Sequence, residues 1–116
     1  MAQLKLKPTL LNPPTLVSGS GTQLSASEIL TGTLVIQALA TNTGNVYVGD
    51  TQASGIALTG IKVAPDDTLT IQVDGDVKGN QDRCVMDLRD IWVGTDTTGN
   101  GVRVMYIEEK SRDYNA

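Results

Sequence analysis

The sequence predicts an all-β protein, an antiparallel β-sandwich or jelly roll of about eight short strands preceded by an extended N-terminal arm. Three observations carry that prediction. Val, Ile and Thr dominate the ordered-looking stretches, turn residues recur at short intervals, and no window shows a convincing amphipathic helix. At 116 residues the chain has room for one domain of ordinary size.

The arm comes first, over residues 1–22. Leu4 and Leu6 alternate briefly with lysines, then the chain meets Pro8, Pro13-Pro14 and the run Ser18-Gly19-Ser20-Gly21. Proline removes amide donors and Gly-Ser runs are flexible, so the stretch reads as extended and not as a central strand or helix. Its apolar residues Leu4, Leu6, Leu10, Leu11, Leu16 and Val17 exceed what a solvated linker carries. They are expected to lie either on the chain's own domain or on a neighbouring subunit, and are candidate partner contacts.

The sandwich domain is assigned to residues 23–107. Strands are expected over 23–30, 33–40, 45–49, 55–63, 68–73, 83–88, 90–93 and 101–107, with turn clusters between them. Residues 23–29 have a helical alternative, because Ser25 and Glu28 stand at capping-box spacing. Asn100-Gly101 is the strongest hairpin signal, since both central residues of a type I′ turn need positive φ. Residues 108–116 form a tail of mixed charge in which Tyr114 is a candidate anchor.

An internal echo links two of the strands. Asn45-Val46-Tyr47-Val48-Gly49 and Asp90-Ile91-Trp92-Val93-Gly94 share a polar, aliphatic, aromatic, Val, Gly pattern. Period-two alternation sends the aliphatic residues to one face and Tyr47 and Trp92 to the other. Matching strands of a Greek-key sandwich, with the rings at a rim or a subunit contact, explain the echo; a ligand platform is the alternative.

Composition removes most chemistry. With no His, no imidazole base, metal ligand or neutral-pH switch exists, and the single Cys84 can form no intrachain disulfide. A net charge of −4 disfavours nucleic acid. No apolar run is long enough to span a membrane, and the first residues lack a secretory h-region, so synthesis in the cytoplasm is expected. The loop from Asp74 to Asp82 resembles a calcium loop only in part: Lys78 stands at the fifth ligand position and Val85 where a bidentate Glu is required. A plain strand connection, or at most an irregular calcium loop, fits it. The stretch 96–101 is glycine-rich but has no phosphate-loop lysine. No enzyme, no cofactor and no metal centre is therefore expected.

Residues 34–50, containing "IQAL" and then "NTGNVYVGD", together with the Ala64-Pro65-Asp66-Asp67 turn, Asp90-Ile91-Trp92-Val93 and Gly99-Asn100-Gly101-Val102, resemble small β-sandwich structural proteins of tailed bacteriophages. The likeness spans residues 33–106. Two positions depart from it: Asp66 stands where such proteins carry Gly after Pro, and Trp92 replaces the commoner Tyr. The resemblance implies a non-enzymatic virion protein, a capsid decoration or cement protein that sits on the head surface as a homotrimer and bridges subunits of the major capsid protein. In this reading residues 3–17 reach across to the neighbours. A head fibre, baseplate or tail-surface module is the rival within virion proteins. A carbohydrate-binding module built on Tyr47 and Trp92 is the rival outside them.

Overall fold

The alternation of buried and exposed residues in the longest strand organises everything else. In the computed structural model, which describes residues 8–73 and 85–108, β3 (Leu30–Ala38) buries Leu34, Ile36 and Ala38 and turns Val35 and Gln37 outward. The remaining strands are β1 (Pro8–Leu11), β2 (Thr22–Gln23), β4 (Val46–Gly49), β5 (Ile61–Val63), β6 (Thr68–Gln72), β7 (Met86–Asp87), β8 (Trp92–Thr95) and β9 (Val102–Glu108). One helix, α1 (Gln52–Ala57), and a single 3-10 turn over Leu88–Asp90 complete the described residues.

The strands form two antiparallel sheets. The first has the order β1-β9-β3-β6, with β7 pairing the start of β3; the second has the order β2-β8-β4-β5. Val102, Val104 and Tyr106 of β9 face Val46 and Val48 of β4 and Val93 of β8 across an aliphatic core that also holds Leu16, Leu24, Val63, Leu88 and Ile91. Each such side chain contributes about 1.5–3 kcal/mol when fully enclosed, so the core is made of many small increments with Tyr106 as its one aromatic.

A register shift between Thr31 and Leu34 bends β3 where it leaves β7. Thr31 is fully buried there. Its hydroxyl lies 2.8 Å from the carbonyl oxygens of both Ile107 and Thr33 and accepts from the Thr33 N–H at 3.3 Å. The polar groups freed by the bulge are thus satisfied within it.

Five expectations are corrected. The stretch expected as an arm contributes to both sheets from Pro8 onward: β1 pairs β9 with Leu10 opposite Met105, Leu16 is 1% exposed in the core, and Thr22–Gln23 pairs β8. β1 carries Pro8 at a sheet edge, where a missing donor is tolerated, and Pro13-Pro14 follow it. Residues 24–29 are neither strand nor helix; Ser25 closes a local turn by accepting from Ser27 N–H at 3.1 Å. The strand expected over 55–63 holds the last three residues of α1, a turn, and only then β5 over Ile61–Val63. Thr51 caps α1 by accepting from Ser54 N–H at 3.1 Å, Ser54 Oγ accepts from Thr51 N–H at 3.3 Å, and Leu58 ends the helix in the left-handed region at φ 57°.

The fourth correction concerns Asn100-Gly101. β8 and β9 belong to different sheets, so their connection is a crossover and not a hairpin. The positive φ falls on Gly99, at 103°. Of the strand expected over 83–88, the described residues form Met86–Asp87 and then the 3-10 turn, which Asp87 caps by accepting from Arg89 N–H at 3.0 Å.

Candidate functional site

Three surfaces were candidates from the sequence or emerge from the fold: the aromatic pair, the outer face of the first sheet, and a cleft at one end of the sandwich.

Tyr47 and Trp92 do occupy one face of one sheet. In the β4–β8 register Tyr47 lies opposite Gly94 and Gly49 lies opposite Trp92, so the aromatics occupy one diagonal of a four-residue grid and the glycines the other. The glycine diagonal carries α1. A Cβ on Gly94 would collide with the Gly55 carbonyl, one on Gly49 with Ser54 Oγ, and one on Gly55 would come within 2.7 Å of Gly21 Cα. The helix backbone therefore rests directly on strand backbone, between the positions of the two rings. Both aromatics are half-buried.

The outer face of the first sheet is different in character. Leu10, Met105, Val35 and Thr70 stand in one cross-strand row, since Leu10 pairs Met105, Met105 pairs Val35 and Val35 pairs Thr70. Leu10 is 49% and Met105 48% exposed. Pro8 and Ile107 flank the row on one side; Arg103, Gln37 and Thr68 flank it on the other around a shallow depression of about 240 Å³. Arg103 is the one charged residue whose position in the register places it on this face among the described residues. Met105 and Val35 were missed as contacts from the sequence, although the alternation in 102–107 already opposes Arg103 and Met105 to Val102, Val104 and Tyr106.

The cleft, of about 610 Å³, opens between the sheets at the β5–β6 side and is mainly apolar, with Leu30, Ile61, Ile71, Met86 and Ile91 on its walls. Asp50, Asp87 and Asp90 contribute to its lining. Asp87 is already engaged: Arg89 Nη2 donates to its Oδ2 at 2.7 Å and Arg89 Nε at 2.9 Å, while Oδ1 accepts from Ile29 N–H at 3.3 Å. The Arg89 hydrogen bond holds the Asp87 carboxyl below its ordinary value, against the opposing effect of burial. Glu28 adds a second, exposed contact to Arg89 at 3.3 Å.

Of the candidate contacts, Leu16 is withdrawn because it fills the chain's own core, and Leu11 packs against that core as well. Leu10 and Val17, the latter 51% exposed, remain on the surface. Leu4, Leu6, Tyr114, Cys84 and the loop from Asp74 to Asp82 lie outside the described residues.

No protein-family model matches the chain, and neither the curated proteins nor the solved structures yield a significant match.

Proposed function

We propose that the chain is a structural protein of a tailed-phage virion, a capsid decoration protein that binds the outer surface of the major capsid shell and links its subunits. The sequence resemblance over residues 33–106 suggests the class. The observation that carries the reading is the row Leu10–Met105–Val35, an apolar strip bordered by Arg103 and, through Gln37, by Asp66 on a chain whose net charge is −4. An apolar strip with its charges at the rim buries area on a partner while stripping little water from ions, and an array of such contacts multiplies a modest single affinity.

Leu10, one of the contacts expected of the arm, belongs to this face because β1 holds it there. Residues 8–17 are committed to β1, the core and the surrounding hydrogen bonds, so in this proposal they contribute through the sheet and not as a free segment. The binding surface in this proposal is the sheet face.

The test is electron microscopy of particles from the phage that encodes the chain, with the parent and with Leu10→Glu/Met105→Glu. Both side chains are about half exposed, so the double variant is expected to fold and to lose its place on the shell. Decoration at parental occupancy would remove this face from the contact. Density on the tail, baseplate or a head fibre would replace the decoration reading with its rival.

A further inference from the structure

The four sheet edges are not equally protected against pairing. β1 begins at Pro8 and is followed by Pro13-Pro14, β2 has two residues, and β5 has three with Lys62 at the centre. Short length, proline and lysine are the devices by which edges avoid unwanted partners. β6, Thr68-Leu69-Thr70-Ile71-Gln72, has five residues with no proline and no charge, and among the described residues it pairs only with β3.

The direction of its free backbone groups follows from the register. Ala38 N–H donates to Asp67 O at 3.0 Å and Val73 N–H donates to Gly32 O at 2.9 Å, bracketing the strand. The pairs Leu34 with Ile71 and Ile36 with Leu69 fall on the same alternation, so odd-numbered residues of β6 bond to β3. Thr68, Thr70 and Gln72 therefore turn N–H and C=O to the open side. Their side chains are exposed, while Leu69 and Ile71 are half-buried toward the core.

We propose that two copies of this chain associate through β6, antiparallel, about a two-fold axis at Thr70. The strand is self-complementary in that register. Thr70 faces its own copy, Thr68 faces Gln72, and Leu69 faces Ile71, so each apolar side chain meets an apolar one and no like charges are opposed. The second copy's Leu69 and Ile71 extend the core at the open edge, beside the cleft wall where Ile61 of β5 is 58% exposed. An edge contact of five residues a side is smaller than the roughly 800 Å² per partner of a stable dimer, so the association is weak in dilute solution and grows with local concentration. This contact uses the backbone edge of β6, while the Thr70 side chain lies at the margin of the proposed shell-binding face, so the two surfaces adjoin.

Amide hydrogen exchange, read by NMR from about 20 μM to about 1 mM, tests it on the full chain. The Thr70 and Gln72 amides are expected to slow at least tenfold across that range, while Leu69 and Ile71, bonded to β3, stay constant. Sedimentation equilibrium over the same range should show a monomer–dimer equilibrium. Thr70→Pro removes an outward N–H and no bond to β3, so it should weaken the dimer at least tenfold and leave the fold intact. Should that variant fail to fold, Thr70→Lys places two like charges across the axis and should weaken the dimer in a salt-dependent way. Fast exchange of Thr70 at every concentration overturns the proposal. So does slow exchange that ignores concentration, which would mean that the edge is covered within one chain, and so does self-association that both variants leave unchanged.

Discussion

Asn100 Nδ2 donates to Thr95 Oγ1 across 2.9 Å, and neither side chain is more than 1% exposed. The same amide accepts from Thr43 N–H at 2.9 Å through its Oδ1. Its backbone carbonyl accepts from Leu16 N–H, also at 2.9 Å, and Gly99 N–H returns a bond to Leu16 O at 3.0 Å. One residue thus joins the N-terminal stretch, the 39–45 loop and the crossover between the sheets. Asn42 closes the group by donating to Gly101 O at 2.9 Å and accepting from Gly101 N–H at 2.8 Å.

Asn100→Ala should therefore cost much more than loss of a turn residue. It removes the acceptor of the Thr43 N–H and one of the bonds to the buried Thr95 hydroxyl, which keeps the Asn45 and Thr97 carbonyls and the Thr97 N–H as partners. We expect a total loss of about 1–3 kcal/mol by urea denaturation, the scale of one lost buried hydrogen-bonding group. A loss below about 0.5 kcal/mol, the scale of an ordinary surface change, would show that water replaces the amide there.

Gly55→Ala separates helix propensity from packing by the sign of its effect. In a free helix the change is favourable by about 1 kcal/mol. Here the added methyl meets Gly21 Cα at 2.7 Å, with backbone on both sides and no flexible side chain to yield. A net destabilisation of about 1–3 kcal/mol is expected, accompanied by faster amide exchange in α1. Gly94→Ala, whose added methyl meets the Gly55 backbone instead, should behave alike.

The sandwich was legible because its strands alternate cleanly, as in 33–40 and 101–107, and because the echoed motifs turned out to be register partners in one sheet. What escaped had local causes. The α1 cap is Thr51 with Ser54, a weaker variant of the Ser/Thr to Glu/Gln signal, and the stronger-looking Ser25 with Glu28 leads only to a turn. Gly49 and Gly94 were legible only as the last position of the echoed motif, and the three-dimensional grid reveals them as the seat of a helix. Asn100-Gly101 has hairpin composition, but pairing between strands far apart in sequence placed its flanks in different sheets. The outer apolar face is present in the periodicity of 102–107, where Met105 alternates with the buried Val104 and Tyr106, but alternation alone does not separate an exposed apolar residue from a contact.

Asp87 sets an acid limit on stability. Its folded-state carboxyl is held below the ordinary value, chiefly by the Arg89 hydrogen bond, so between the folded and unfolded values the unfolded chain binds more protons. The contribution is complete above the unfolded carboxylate range, near pH 4, and is lost as pH falls through the lower folded value. Asp87→Asn should flatten the acid limb of stability against pH while changing little of the neutral slope. Urea midpoints measured from pH 7 to pH 2 for both proteins check this. Identical acid limbs would mean that Arg89 interacts equally with Asp87 in the unfolded chain.

Asp66 offers the reverse case, a site where the present residue is not the most stable one. Asp67 N–H donates to Ala64 O at 3.0 Å, closing a four-residue turn with Pro65 second and Asp66 third. Proline fixes its own φ near −65°, and Asp66 follows at φ 68°, the pattern of a type II turn whose third position favours glycine. Asp66 is exposed, and its carboxylate accepts only a long contact, 3.5 Å, from Gln37 Nε2. Relief of the left-handed strain outweighs that contact, while the extra freedom of glycine in the unfolded chain offsets part of the gain. Asp66→Gly is expected to raise stability by about 0.5–1 kcal/mol and the thermal midpoint by a few degrees, with the β3–β6 register unchanged. A loss of stability would show that the Gln37 contact, or the negative charge beside Asp67, contributes more than the turn geometry indicates.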